Sequence, residues 1–148
     1  MLKFLTYNIC SNSQNNRLSF LVLDGQDQLS TSTIEEFALK LGCDATMPAK
    51  VVSIVGNAGD GKSYALNQIF FPELEEEEVF ATSSSSDDSC TSGIWAAYDP
   101  RIQALVLDTE GMLGMSTKDG VSGSNENRRT RQLLKILAIS DIVIYKTR

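Results

Sequence analysis

The sequence predicts an α/β domain, a three-layer sandwich in which a mostly parallel sheet lies between helices. Apolar runs of strand length alternate with helical patterns along the chain, which is the order typical of this class. A glycine-rich turn also joins one apolar strand directly to a helix, between Val51 and Phe70. A chain of 148 residues can enclose one hydrophobic core, so we expect these elements to belong to one sheet.

The first third of the chain predicts a leader, a strand and a short helix. Residues 1–17 end in a polar, low-complexity stretch, which predicts disorder. The apolar run Leu18–Leu23 closes with a turn signal and predicts a strand. A helical pattern then runs over residues 34–41, between a capping box opened by Thr33 and a terminal Gly42. The predicted parts of the chain are a leader at 1–17, a lead-in strand and helix at 18–49, and the main domain at 50–148.

The strongest pattern lies at residues 51–63. The apolar run Val51–Val55 predicts a buried strand, and the next eight residues fit G-x-x-x-x-G-K-[ST] at every fixed position. In such a loop, successive backbone N–H groups converge on a phosphate at the N-terminus of the following helix. The predicted phosphate site consists of Gly56, Asn57, Ala58, Gly59, Asp60, Gly61, Lys62, Ser63 and Tyr64.

Two side chains of this loop have specific predicted roles. Lys62 is expected to reach the β- and γ-phosphates of a nucleotide, and the Ser63 hydroxyl is expected to face Mg²⁺. The pattern therefore predicts a P-loop nucleoside triphosphatase fold. The alternative is a glycine-rich turn that carries Lys-Ser by chance, and the strand and helix on either side argue against it.

The remaining elements follow from hydrophobic periodicity and turn signals. The acidic and serine-rich segment at 73–89 predicts a solvated, flexible loop, and residues 111–127 predict a second mobile loop. The other predicted elements are a helix at 62–70 that Pro72 stops, a hairpin of strands at 94–98 and 103–107, a helix at 129–137, and a buried strand at 142–145.

Hydrolysis needs a second carboxylate at the metal and a positioned water molecule. Asp108 follows directly after an apolar strand, where it can accept a hydrogen bond from a Mg²⁺-bound water. Glu110 is a candidate for orienting the attacking water, and Gly111 for donating its N–H to the γ-phosphate. The alternatives are a strand-end aspartate that caps a turn and, for Glu110, a solvated loop acid.

Composition narrows the possible partners. The formal net charge of −6 excludes the broad basic surface expected of a nucleic-acid-binding domain. Three cysteines without a C-x-x-C pair, and no histidine, make a structural zinc site improbable and fit a reducing compartment. Residues 1–9 are too short and too polar for a signal peptide or a membrane span. We expect an intracellular segment whose partner is a nucleoside triphosphate.

Two short motifs downstream of the phosphate loop resemble motifs of known protein families. Residues 91–95 (Thr-Ser-Gly-Ile-Trp) and 108–111 (Asp-Thr-Glu-Gly) resemble the G domains of guanylate-binding proteins and atlastins. Residues 51–71, 95–100 and 137–141 are also similar to the N-terminal nucleotide-hydrolase domain of double FYVE-domain proteins. The resemblance covers roughly residues 18–148.

The resemblance implies roles for residues that the pattern alone leaves undistinguished. It implies that Thr91 joins Ser63 as a Mg²⁺ ligand, and that Ser89 helps to position water. It places Asp108 behind a metal-bound water and Gly111 near the γ-phosphate. The predicted catalytic set is therefore Ser89, Thr91 and Glu110, and the metal set that the resemblance implies is Ser63, Thr91 and Asp108.

The sequence departs from these families inside the phosphate loop. Guanylate-binding proteins and atlastins place a catalytic arginine where this chain has Gly59. An arginine finger contributes about 10³ to 10⁵ in rate, so we expect slow hydrolysis. Arg128, Arg129 and Arg131 could supply the charge in cis or across a dimer, although basic residues on an exposed helix start are the simpler interpretation.

The choice of base stays open at this stage. The Arg-Asp pair that reads guanine in guanylate-binding proteins would fall beyond Arg148, and the double FYVE resemblance favours ATP over GTP. The resemblance further implies a conformational or dimerisation switch on the cytosolic face of endoplasmic-reticulum or lipid-droplet membranes, with a role in autophagy. Membrane contact would then come from FYVE domains that these residues do not encode.

Two other functions also use a phosphate loop. A nucleotide-binding interaction module with negligible hydrolysis is the main alternative, and a P-loop kinase is disfavoured because residues 91–95 and 108–111 resemble nucleotide switches. If the sheet follows the usual G-domain order, the domain is C-terminally truncated. The strand at 142–145 would then be an exposed apolar edge, and the chain alone is expected to aggregate.

Overall fold

The computed structural model describes residues 18–74, 77–82, 92–111 and 122–148. Within these ranges the chain forms five strands and three helices. In chain order they are β1 (Phe20–Leu23), α1 (Ile34–Leu41), β2 (Lys50–Gly56), α2 (Lys62–Phe70), β3 (Ile94–Asp99), β4 (Ala104–Thr109), α3 (Ser122–Ile139) and β5 (Ile142–Lys146). None of these helices is long and apolar enough to cross a lipid bilayer.

The strands form a mixed sheet in the order β1-β3-β4-β2-β5. β4, β2 and β5 run parallel, whereas β3 pairs antiparallel with both β1 and β4. The α/β class is therefore confirmed, but the expected mostly parallel sheet is corrected to a mixed one. The physical reason is the short β3–β4 connection, because a few residues can join only antiparallel neighbours.

Helices cover both faces of this sheet. Along β2, Val52 and Ile54 point into a core that includes Leu66 and Phe70 of α2. Val55 belongs to the opposite core, which includes Ile136 of α3 and is also contacted by α1. The alternation of side chains along a strand produces this division. β2, which has a neighbouring strand on each side, is therefore buried on both faces from Val52 onwards, as its continuous apolar sequence predicts.

The caps of α1 match the sequence prediction closely. The Glu36 N–H donates to the Thr33 hydroxyl at 3.2 Å, and the helix ends at Gly42, whose φ is 67°. The Glu36 carboxylate accepts from the Ser32 N–H at 3.0 Å, one residue earlier than a standard capping box. Both ends of α1 are therefore specified by local sequence.

Two residues of the predicted acidic loop are instead buried in the hydrophobic core. Val79 and Phe80 are each 1% exposed and pack against α2. The Asn67 amide donates to the Phe80 carbonyl at 2.8 Å and accepts from the Phe80 N–H at 2.9 Å. The prediction of a solvated loop is wrong at these two residues, because burying their side chains outweighs the charge of the neighbouring glutamates. Residues 75–76 and 83–89 lie outside the described residues.

The second predicted loop is also shorter than expected. α3 begins at Ser122, so the loop prediction is wrong from 122 to 127, and residues 112–121 lie outside the described ranges. The polar composition of this stretch disfavours a helix by local propensity. Farther along the helix, the Gln132 amide donates to the Asp24 carbonyl at 3.3 Å and so ties α3 to the turn after β1.

β5 lies at the edge of the sheet, next to β2. Ile142 and Tyr145 are 55% and 59% exposed, so the strand predicted as buried is exposed along much of its length. The expectation of an exposed apolar edge does agree with this position. Unpaired backbone groups beside apolar side chains favour pairing with other chains.

We predict that the 148-residue chain self-associates through β5. Replacing Tyr145 with lysine adds a charge to the edge and is expected to raise the monomeric fraction several-fold at the same concentration. Sedimentation velocity of both proteins measures this fraction. A monomeric, cooperatively melting preparation of the unaltered chain would contradict the prediction.

Candidate functional site

The loop between β2 and α2 requires glycine for two different reasons. A Cβ atom on Gly56 would lie 2.3 Å from the Lys146 carbonyl oxygen of β5, so no larger residue fits there. Gly59 and Gly61 have φ values of 77° and 74°, a left-handed conformation that other residues adopt only with strain. The predicted turn from strand to helix is therefore present, with its helix beginning at Lys62.

The loop is held in shape by its own polar residues. The Asn57 N–H donates to the Asp60 carboxylate at 3.0 Å, and the Asp60 N–H approaches the Asn57 carbonyl at 3.4 Å. Asp60 is 7% exposed, and its other carboxylate oxygen lies 3.5 Å from Arg148 Nε. Positions 57 and 60 are variable in the motif pattern, so sequence reasoning assigned no specific interaction to either.

Lys62 is a buried cation at the start of α2. It is 7% exposed, and its Nζ donates to the Asn57 carbonyl at 2.8 Å. Burial lowers the pKa of Lys62, while the nearby carboxylates of Asp108, Asp60 and Glu110 oppose that shift. The ammonium group is therefore largely removed from water, and it lies next to the loop that is predicted to bind phosphate.

Ser63 and Asp108 bring two different elements together. The Ser63 hydroxyl donates to Asp108 Oδ2 at 2.6 Å, and Asp108 is 1% exposed near the end of β4. The next residue, Thr109, donates its hydroxyl to the Ile54 carbonyl at 2.7 Å and so ties β4 to β2. The position of the carboxylate is thus fixed by the sheet, as the sequence predicted for an aspartate after an apolar strand.

This pair fits a magnesium ion. Hydroxyl and carboxylate oxygens are the hard ligands that Mg²⁺ prefers, and a nucleotide site leaves its other positions to phosphate and water. Among the described residues there is no cluster of three or more acidic, cysteine or histidine side chains suited to hold a metal by itself. Ser63 and Asp108 would therefore hold Mg²⁺ together with a bound phosphate group.

Gly111 packs directly against the phosphate loop. A Cβ atom there would lie 2.4 Å from Ala58 N and 2.5 Å from Ala58 Cα. This contact places the end of β4 beside the loop, although the two segments are far apart in sequence.

Glu110 is the centre of a buried ion cluster. It is 6% exposed, and its two carboxylate oxygens each lie 3.1 Å from a guanidinium nitrogen of Arg128. Arg129 Nη2 lies 3.4 Å from the same carboxylate, and the Gly93 N–H donates to it at 3.3 Å. The interpretation of Glu110 as a solvated loop acid is therefore wrong.

The three candidate arginines occupy different environments. The side chains of Arg128 and Arg129 are 16% and 24% exposed, so the interpretation as an exposed helix start is wrong for both. Arg131 is 60% exposed and lies 3.2 Å from Asp27, which agrees with that interpretation. Sequence reasoning missed the pairing of Glu110 with Arg128, since nothing in their spacing marks two such residues as partners.

The predicted site residues are partly brought together. The described part of the site contains the whole loop together with Lys62, Ser63, Asp108, Glu110 and Gly111. These residues lie at the ends of the neighbouring strands β2 and β4 and at the start of α2. Tyr64 lies on the first turn of α2 and is 61% exposed. Ser89 and Thr91 lie outside the described residues, so their predicted roles stay predictions.

Comparison with known proteins identifies the family. The family model for the guanylate-binding protein N-terminal domain matches residues 28–147, most of the chain. The chain belongs to this family. Membership in the guanylate-binding protein family confirms the resemblance predicted from residues 91–95 and 108–111, and it supports a nucleoside triphosphatase of the GTPase type.

Individual relatives agree with this assignment. The chain is 48% identical over 130 residues to Zinc finger FYVE domain-containing protein 1 of Homo sapiens, covering 88% of this chain and 15% of that protein. It is 33% identical over 128 residues to Protein ROOT HAIR DEFECTIVE 3 of Oryza sativa subsp. japonica, covering 83% and 15%. The predicted resemblance to FYVE-domain proteins is confirmed, and the chain spans about 15% of the length of these relatives.

Proposed function

We propose that this domain binds a purine nucleoside triphosphate with Mg²⁺ and hydrolyses it slowly. The observation that carries the proposal is the 2.6 Å bond between the Ser63 hydroxyl and the Asp108 carboxylate, beside the buried Lys62. These are the positions where the phosphate-loop pattern expects the metal and the β- and γ-phosphates. GTP is the favoured nucleotide, because the matching family is named for guanylate binding.

The residues of the site would act mainly by positioning and charge. Lys62 Nζ would exchange its bond to the Asn57 carbonyl for bonds to phosphate oxygens. Ser63 and Asp108 would hold Mg²⁺, which when bound neutralises charge on the phosphates. Thr91 as a further metal ligand and Ser89 as a water-positioning residue remain part of the proposal.

Slow turnover is proposed because the phosphate loop carries no catalytic cation of its own apart from Lys62. Gly59 stands where the resemblance places an arginine, and Arg128 is paired with Glu110. Glu110 can orient water only if its carboxylate leaves Arg128, so release of this pair would have to accompany catalysis. Arg128 or Arg129 would then become available to the phosphates, in cis or across a nucleotide-dependent dimer.

The alternative function is a nucleotide-binding interaction module with negligible hydrolysis. The buried pairing of Glu110 with Arg128 and Arg129 favours it, because the acid and the cations that could assist hydrolysis are engaged with one another. In either case the bound nucleotide would act as a conformational or dimerisation switch.

We also propose a cellular setting for the longer protein. The 48% identity to a protein named for its FYVE zinc finger supports association of the longer protein with membranes. We propose the cytosolic face of the endoplasmic reticulum or of lipid droplets, and a role in autophagy. Contact with the membrane would come from parts of such a protein outside this chain.

Titration with fluorescent GTP and ATP, with Mg²⁺ and with EDTA, tests the proposed function. We expect triphosphate binding that weakens at least about tenfold when Mg²⁺ is removed, followed by single-turnover hydrolysis above the solution rate. Mg²⁺-dependent binding without turnover would select the interaction module. Absence of binding to either nucleotide would contradict both functions.

A further inference from the structure

Glu110 joins three elements of the fold at one point. Its N–H donates to the Gly93 carbonyl at 3.0 Å, and its carboxylate accepts from the Gly93 N–H at 3.3 Å. These two bonds fix the end of β4 to the start of β3. Gly93 in turn packs closely against β1: a Cβ at this position would lie 2.1 Å from the Leu23 carbonyl oxygen, so no larger residue fits there.

The same carboxylate is fixed from the other side by α3. Two guanidinium nitrogens of Arg128 lie 3.1 Å from its two oxygens, which is the bidentate geometry that arginine alone can provide. The Arg128 side chain is 16% exposed and the Glu110 side chain 8%, so the pair is largely shielded from water and salt. The Glu110 side chain is therefore held in one position by contacts on both sides.

Gly111 follows immediately and has no side chain of its own to fix it. Its backbone nevertheless contacts Ala58 so closely that a Cβ would lie 2.4 Å from the Ala58 nitrogen. The residues that determine its position are thus the anchored Glu110 before it and the phosphate loop beside it. Any loosening of Glu110 would let the Gly111 N–H move away from the loop.

We propose that Arg128 is a positioning residue that acts through Glu110 to hold the Gly111 N–H at the phosphate loop, and so sets the preference for triphosphate over diphosphate. The inference rests on the proposed function, because Gly111 is expected to bind the γ-phosphate. A diphosphate lacks that group and does not use the contact. The ratio of the two affinities therefore reports on Arg128, whereas general damage to the loop weakens both affinities together.

Variants that conserve charge provide the test. Arg128→Lys keeps the positive charge but cannot form the bidentate pair with the Glu110 carboxylate. Glu110→Asp keeps the negative charge, but its side chain is too short to reach Arg128 and Gly93 together. Each is expected to lower the ratio of affinities for the β,γ-imido analogue of GTP and for GDP by about tenfold, the value of one charge-assisted hydrogen bond. Binding of GDP should stay within about twofold of the unaltered protein, which shows that the loop remains folded.

Lys135→Arg is the matched control on the same helix. Lys135 is 49% exposed and lies 3.6 Å from Asp27, away from Glu110, so this variant should leave the ratio unchanged. The double variant Arg128→Lys with Glu110→Asp should have the same affinity ratio as the single variant with the lower ratio, because both changes break the same connection.

Several outcomes would overturn the inference. An unchanged ratio in either single variant removes Arg128 as a positioning residue while leaving the proposed function intact. A lowered ratio with Arg128→Lys, but a raised one with Glu110→Asp and additive effects in the double variant, indicates that Arg128 contacts phosphate directly. Failure of the unaltered protein to bind either nucleotide overturns the proposed function and this inference together.

Discussion

Replacing Lys62 with alanine is expected to lower the affinity for a Mg²⁺–nucleoside triphosphate complex by at least about 100-fold. A hydrogen bond to a charged group contributes about 1.5 to 3 kcal/mol, and Lys62 is expected to bind two phosphate groups. The side chain is 7% exposed, so folding itself meets part of the cost of desolvating it. Isothermal titration at low protein concentration measures the loss.

Lys50→Ala is the control for this substitution. Lys50 lies at the start of β2, the strand that precedes the phosphate loop. Its side chain is 74% exposed, and it pairs with Asp141 at 3.3 Å. Exposed ion pairs contribute about 0 to 1 kcal/mol, so nucleotide affinity should change by less than about twofold. Equal affinities of the unaltered protein and Lys62→Ala would show that the loop does not bind phosphate.

Replacing Gly111 with alanine is expected to disrupt the site from the opposite side. The added Cβ would lie 2.4, 2.5 and 2.7 Å from three atoms of Ala58, two of them backbone atoms that cannot turn aside. The phosphate loop or the end of β4 must therefore move. We expect a loss of about 1 to 3 kcal/mol in the free energy of unfolding, as for other overpacked sites, and at least tenfold weaker triphosphate binding.

Gly25→Ala provides the comparison for Gly111→Ala. A Cβ on Gly25 would lie 3.2 Å from the Ser92 hydroxyl, a side chain that can rotate, and in ordinary van der Waals contact with Arg128 Nη1 at 3.6 Å. Stability should therefore change by less than about 0.5 kcal/mol. Urea unfolding followed by nucleotide titration measures both quantities. If Gly111→Ala matched Gly25→Ala in both, the close contact with Ala58 would not be a feature of the folded protein in solution.

The elements around the phosphate loop could be predicted almost to the residue. The sequence predicts a helix at 62–70, and α2 spans Lys62–Phe70. These elements could be predicted because the buried strand, the turn with its three glycines and the helix start are each specified by residues that are adjacent in the chain. The capped helix α1 and the β3–β4 hairpin were predictable for the same reason.

What could not be predicted depends on contacts between distant segments. The antiparallel pairing of β1 with β3 places β1 at one edge of the sheet, and no local pattern indicates which strand β1 joins. Val79 and Phe80 lie within an acidic run, and the sequence does not indicate that they contact the core at α2 and hydrogen-bond to the Asn67 amide. The partner of Glu110 was likewise not visible, since an arginine on a helix after a polar stretch is usually solvated.

The contact of Gly56 with Lys146 determines when the site can be completed during synthesis. β2 leaves the ribosome early, but the strands that pair with it begin only at Ala104 and Ile142, far downstream in the chain. Pairings between such distant segments form slowly because the intervening chain must first be ordered. Until β5 emerges, Gly56 at the start of the phosphate loop therefore lacks its pairing with Lys146. A nascent chain stalled before that point should not retain nucleotide.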